Sequence, residues 1–190
     1  MKRYLLSLFF LFLLVSNSHS QFFGTDNSTW NVGVSAGFAY YSGDNAIDVG
    51  THYVHQIPRI NISRYLLKGI TLDAAVSFNA FDNEGQLKNT VSYTSYDGTV
   101  RYDFGTTYDN IVPYVLIGGS IISSARPTPT LNFGAGNTFW FSSKIGFNLQ
   151  FMYKFSEDRF ESQRSHIYFT AGLVYSFGQR TSQRRLWERR

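Results

Sequence analysis

The chain of 190 residues contains no cysteine, only four prolines, and 16% charged residues. Without cysteine there is no disulfide stapling, so an exported domain of this size relies on a large core, on closure of a barrel, or on surrounding lipid. After the first twenty residues, no window offers the roughly 20 apolar residues that a membrane-crossing helix requires. If the mature chain crosses a membrane, it does so with strands. The formal net charge is +4, but little of that excess lies in the region expected to fold. Setting aside Lys2, Arg3 and the tail after Phe177, which carries five arginines and Glu188, leaves 10 basic and 12 acidic residues. A slightly acidic domain lacks the basic face of a nucleic-acid groove, so a nucleic-acid partner is not expected.

The amino terminus has the build of an export signal. Lys2 and Arg3 precede an apolar stretch from Tyr4 to Val15, followed by the small-x-small triplet Ser18-His19-Ser20. Residues 1–20 are expected to be a signal peptide cut before Gln21, residues 21–177 one domain, and residues 178–190 a basic tail. The 18 phenylalanines and 13 tyrosines bring aromatic content to 18%, which suits the girdles that a barrel presents to lipid headgroups.

Alternation with a period of two is the dominant pattern. Ile145, Phe147, Leu149, Phe151, Tyr153 and Phe155 share one face of a strand, and Gly146, Asn148, Gln150 and Lys154 share the other. The pattern recurs over residues 30–41, 70–81 and 167–177. Less regular strands are expected over 55–66, 91–104, 111–123 and 131–141. Residues 111–123 are apolar on both faces, so periodicity leaves their register open. Pro127 and Pro129 place residues 124–130 in a loop. The other long polar connections are 42–51, 82–89 and 156–165, and the even-numbered connections are mostly short.

Periodicity alone does not say which face is inside, but side-chain size does. The apolar faces carry more Phe, Tyr, Trp and Leu than the interior of a small barrel can hold, whereas the opposite faces carry mainly Gly, Ser, Ala, Asn and Thr. The expected fold is all-β, an eight-stranded antiparallel up-and-down transmembrane β-barrel, with both termini in the periplasm and the long loops outside. Arg59, Asp73, Arg101, Asp103 and Lys154 then face inward, where they would pair as a polar plug. Two alternatives stay open: a narrow porin-like channel, and an exported soluble lipocalin-like barrel with a small apolar ligand inside.

Local segments carry a family resemblance. Ile57-Pro58-Arg59-Ile60 with Ser63-Arg64-Tyr65-Leu66, the run from Pro113 to Gly119, and Gly134-Ala135-Gly136-Asn137 resemble the membrane domain of OmpA-type outer-membrane proteins, in particular the Bacteroidetes version. The resemblance implies location in the outer membrane, surrounding lipid, and insertion by the outer-membrane assembly machinery, with Tyr175 and Phe177 as the assembly signal at the end of the last strand. The family pattern continues into a peptidoglycan-binding domain that this chain is expected to lack, so cell-wall anchoring is not carried over. The loops, or the tail with Arg180, Arg184, Arg185, Arg189 and Arg190, would be the places for an envelope protein partner.

Catalytic chemistry finds little support. Ser165 and His166 are adjacent, which sends them to opposite faces of a strand, and no acid is spaced to complete a triad. His52 and His55 fall on opposite faces as well, and no cysteine supports a metal site. Asn27-Ser28-Thr29 and Asn61-Ile62-Ser63 match the glycosylation pattern and are assigned no role. A non-enzymatic protein without a cofactor, structural or interactive in function, is the expectation.

Overall fold

The computed structural model describes residues 30–67, 69–79, 92–105, 109–124, 126–157 and 163–178. The expected signal peptide, the basic tail after Gly178, and the whole of the loop at 82–89 lie outside the described residues. Eight strands follow one another: β1 Trp30–Tyr40, β2 Tyr53–Leu67, β3 Ile70–Asn79, β4 Thr94–Asp103, β5 Ile111–Ser123, β6 Pro127–Trp140, β7 Ile145–Phe155 and β8 His166–Ser176. Each pairs antiparallel with its neighbours in sequence, and β8 pairs with β1, closing the ring. Closure gives every strand two partners and removes the exposed edges of an open sheet.

Alternation sorts the side chains as their sizes require. Val34, Phe38, Ile60, Ile62, Leu72, Val100, Ile117, Phe133, Phe151 and Leu173 lie exposed on the outer wall. Facing inward and buried are Arg59, Ser63, Thr71, Asp73, Ser77, Asp97, Asn132, Gln150 and Lys154. The register of β5 now follows: Val112, Tyr114, Leu116, Ser120 and Ile122 are buried, while Ile111, Val115, Ile117 and Ile121 are exposed. An apolar ligand cavity of the lipocalin kind has no place in such an interior.

Three expectations are corrected. Residues 127–130 are not loop but the start of β6, and the connection shrinks to residues 124–126. Pro127 and Pro129 pair with Ser123 and Ile121 of β5, whereas pairing with β7 begins only at Leu131. The missing proline N–H groups therefore fall where β6 runs on as an edge, the position in a sheet that tolerates proline. Second, the connection at 42–51 holds a short helix, α1, Asp44–Val49, stopped by Gly50 in the left-handed conformation at φ 82°. Third, small residues do not fill the interior by themselves: Tyr41, Tyr93, Tyr114, Tyr168 and Met152 are also buried there.

Pro58 also sits inside a strand. There β2 changes its pairing with β3, from Gln56 opposite Asn79 to Arg59 opposite Ser77. This irregularity shifts the inward parity of β2 from Val54 and Gln56 to Arg59 and Ser63, and so turns Arg59 toward the axis.

Glycine makes room for one of the large interior rings. A Cβ on Gly136 would lie 2.3 Å from Cζ and Oη of Tyr114, so the ring lies directly over β6. Replacing Gly136 by valine forces Tyr114 out of place and should destabilise the barrel by about 1–3 kcal/mol. Gly98, whose outward side is open space, should accept alanine within about 0.5 kcal/mol. Urea unfolding of the refolded protein in lipid vesicles, followed by tryptophan fluorescence, compares the two.

Candidate functional site

The charged residues expected inside gather in two groups along the axis. Asp97, on β4, accepts hydrogen bonds from Lys154 Nζ at 2.6 Å and Arg59 Nη2 at 3.3 Å. Ser95 donates to the same carboxylate at 3.1 Å and receives a bond from Lys154 at 3.2 Å. Both Lys154 and the Asp97 side chain are almost wholly buried, at 0% and 1% exposed. Removing two cations and a carboxylate from water is tolerable only because they are mutually bonded.

Nearer the end that carries the short turns, Arg101 donates to Asp103 at 2.9 Å, and Asp103 also receives Thr71 Oγ1 at 2.6 Å. Asp73 accepts from Asn61 Nδ2 at 2.9 Å. The Asn61 side chain therefore points into the barrel, out of reach of any glycan. Arg101 lies over the Tyr114 ring, 4.0 Å from its centroid, and the Tyr114 hydroxyl joins Asn148 and Gln150 at 3.1 Å each.

Toward the loop end the interior turns aromatic. The Lys154 stem passes Tyr168, with Nζ 4.6 Å from the ring centroid. Tyr93 and Tyr168 stack at 6.4 Å, and Tyr41 lies 4.7 Å from the His166 ring. His166 Nδ1 faces the Arg164 carbonyl oxygen at 2.8 Å, an acceptor only, so this nitrogen carries the proton. Nε2 is left to accept from the Tyr93 hydroxyl at 2.8 Å, which describes a neutral imidazole. Tyr41 donates to Gln163 at 2.5 Å, and Tyr168 to Ser77 at 2.9 Å. Above this layer Arg164 pairs with Asp48 of α1 at 2.9 Å, and Asn45 donates to the Ser165 carbonyl at 3.1 Å, so α1 is tied to the segment before β8.

Between the ion pairs and the opposite mouth lies a cavity of about 30 Å³, lined in part by Asn31, Arg59, Asn61, Arg101, Thr138 and Asn148. Three of the lining residues hold buried polar atoms with no hydrogen-bond partner among the described residues, the Nε of Arg59, the Nε of Arg101 and the Oδ1 of Asn31. One or two waters fit such a volume and would complete these bonds.

Among the described residues no arrangement has the geometry of a nucleophile and its base. Ser95 and Lys154 are in contact, but Lys154 donates to Asp97 and is held as a cation, so it has no lone pair with which to activate the serine. The Ser165 hydroxyl bonds the Ser156 carbonyl rather than His166. His52 Nδ1 lies 3.3 Å from the Tyr41 carbonyl oxygen. Among the described residues no three His, Asp or Glu side chains gather as a metal site.

Of the residues picked out in the sequence, Arg59 and Lys154 meet at Asp97, Arg101 meets Asp103, and Asp73 bonds Asn61. Tyr175, on β8, and Phe177, just beyond it, stand on the outer wall with their rings 5.3 Å apart. Sequence reading missed Asp97, which holds the first group together. Extending the inward parity of Thr99, Arg101 and Asp103 back along β4 reaches Asp97, Ser95 and Tyr93.

No protein-family model and no curated protein matches the chain. Among solved structures it is similar to the N-terminal β-barrel domain of Pseudomonas aeruginosa OprF, with a TM-score of 0.60 at 12% identity over 80% of this chain and 98% of that one. It is also similar to Neisserial surface protein A, with a TM-score of 0.50 at 12% identity over 80% of this chain and 98% of that one. At such identities the likeness is one of fold, the closed eight-stranded up-and-down barrel.

Because Asp97 serves two cations, its loss is more damaging than the loss of either one. Asp97→Asn should cost about 3–5 kcal/mol by leaving Lys154 and Arg59 buried without an anion. Lys154→Met keeps the Arg59–Asp97 pair and should cost clearly less. Urea midpoints of the two variants in lipid vesicles, set against the unsubstituted protein, give the order.

Proposed function

We propose that this chain is a non-enzymatic protein of the outer membrane, a lipid-embedded barrel with a structural or interaction role whose interior is plugged. The observation that carries the reading is the inversion of sides: large apolar side chains on the outer wall, bonded charges within. A soluble barrel does the reverse. Strands of 10 to 15 residues are long enough for tilted strands to cross a bilayer, which takes about 9–11 residues each.

The aromatic side chains mark both rims of that wall. Tyr40 and Tyr53, with rings 5.2 Å apart, and Phe38 with Phe169, at 5.5 Å, stand toward the loop end. Trp30, Tyr102, Phe104, Phe141, Tyr175 and Phe177 stand near the turn end. Amphipathic rings favour the headgroup level, with aliphatic residues between. The fold shared with the OprF barrel domain and the Neisserial surface protein supports the same reading. No described helix is long and apolar enough to cross a membrane, which has no bearing on strands.

With the termini placed in the periplasm, α1 and the segments before β4 and β8 face outside, on a rigid frame suited to presenting recognition surfaces. Insertion would proceed through the outer-membrane assembly machinery, with Tyr175 and Phe177 as its signal. A narrow channel is the weaker alternative, because the tyrosine layer and the Arg59–Asp97–Lys154 group occupy the axis in succession.

Expression of the full precursor in a Gram-negative host should place the protein in the outer-membrane fraction, with a gel band that shifts on boiling. In planar bilayers the purified barrel should leave conductance at background. A soluble periplasmic product contradicts the membrane reading, and steady unitary currents contradict the plug.

A further inference from the structure

The described strands carry one charged side chain on their outer wall. Arg64, on β2, shares its parity with the exposed Ile60, Ile62 and Leu66, and pairs in register with Trp30 of β1 and Leu72 of β3. Its guanidinium lies over the Trp30 ring, 5.2 Å from the centroid. The inward cations Arg59, Arg101 and Lys154 each have a carboxylate. Among the described residues, Arg64 has neither a carboxylate nor a hydrogen-bond acceptor, and its Nε is buried and unpartnered.

Position along the wall limits what can answer this charge. Trp30 is the first residue of β1, and its carbonyl oxygen accepts the Phe177 N–H at 2.9 Å just beyond the end of β8, so the pair stands at the rim that carries the turns. A cation facing hydrocarbon is costly at mid-depth and tolerated near the headgroups. A guanidinium stacked on an indole keeps its planar fork in one orientation, and the complement of that fork is a phosphate or carboxylate oxygen pair. At the level of a membrane rim the available oxyanion is the phosphodiester of a phospholipid.

We propose that Arg64 and Trp30 form a phospholipid site, in which the indole sets the guanidinium plane and the Nη groups donate to a headgroup phosphate in the leaflet at the turn end. The site rests on the membrane reading above. It uses a chemistry shared by zwitterionic and anionic phospholipids, and would hold one lipid against the wall at β1 and β2.

Solid-state NMR reads the contact directly. The full chain, labelled at arginine with carbon-13 and nitrogen-15, is refolded into phosphatidylcholine vesicles, and Arg64 Cζ is assigned through its backbone. Recoupling to phosphorus-31 should remove intensity from Arg64 Cζ and leave Arg101 Cζ unchanged. In maltoside micelles supplied with inorganic phosphate the Arg64 signal should stay whole. Retention of full intensity in vesicles where the gel band shifts on boiling overturns the site while the membrane reading stands. Equal loss with inorganic phosphate overturns the lipid as its source. If the band does not shift in vesicles, the membrane reading falls and this site falls with it.

Discussion

Ring closure is the constraint from which the rest of the molecule follows. Pairing β8 with β1 gives every strand a partner on both sides, which a solvent without hydrogen-bond partners demands. Closing at eight strands also fixes the interior as a narrow space, wide enough for one layer of side chains. Large residues cannot then occupy both faces of each strand. They go outward, and the inward positions take Gly, Ser, Thr and Asn, with a few tyrosines admitted where an opposing glycine such as Gly136 gives way.

That narrow space also governs the charges. Arg59, Arg101 and Lys154 face Asp73, Asp97 and Asp103, an inventory of three against three. A buried charge without an opposite is far more costly than a buried pair, so the strands are constrained jointly: Lys154 on β7 depends on Asp97 on β4, which also serves Arg59 on β2. The distribution along the axis is unequal. Tyrosines and a neutral His166 close the loop end, and the polar cavity beside Arg59 and Arg101 lies toward the turn end. Arg64 shows the complementary rule on the outside, where a cation without an anion among the described residues stands at a rim.

The two-residue period made the architecture legible. In β7 the alternation from Ile145 to Phe155 is clean enough to assign faces from the residues alone, and the side-chain volumes say which face is out. Pro127 and Pro129 misled because their exclusion from strands holds only where both sides are paired, and β7 ends before reaching them. Arg59 turns toward the axis through the irregularity around Pro58, which depends on the partner strands and leaves no mark in the periodicity. Asp97 was missed for a related reason: Gly98 outside and Tyr93 inside blur the contrast of sizes along β4. Helix α1 is a single turn and a half, too short to produce a periodic pattern.

The assignment of faces is open to a direct reading, because a chain without cysteine accepts one spin label at a time. Cysteine placed in turn at each position from Ile145 to Phe155, labelled with a nitroxide and refolded in lipid vesicles, reports its collisions with oxygen, which concentrates in lipid, and with a water-soluble nickel chelate. Oxygen accessibility should rise at 147, 149, 151 and 153 and fall at 148, 150, 152 and 154, with the nickel chelate reaching neither set at mid-strand. Collisions with the nickel chelate at the odd positions would put the apolar wall in water and contradict a lipid-embedded barrel.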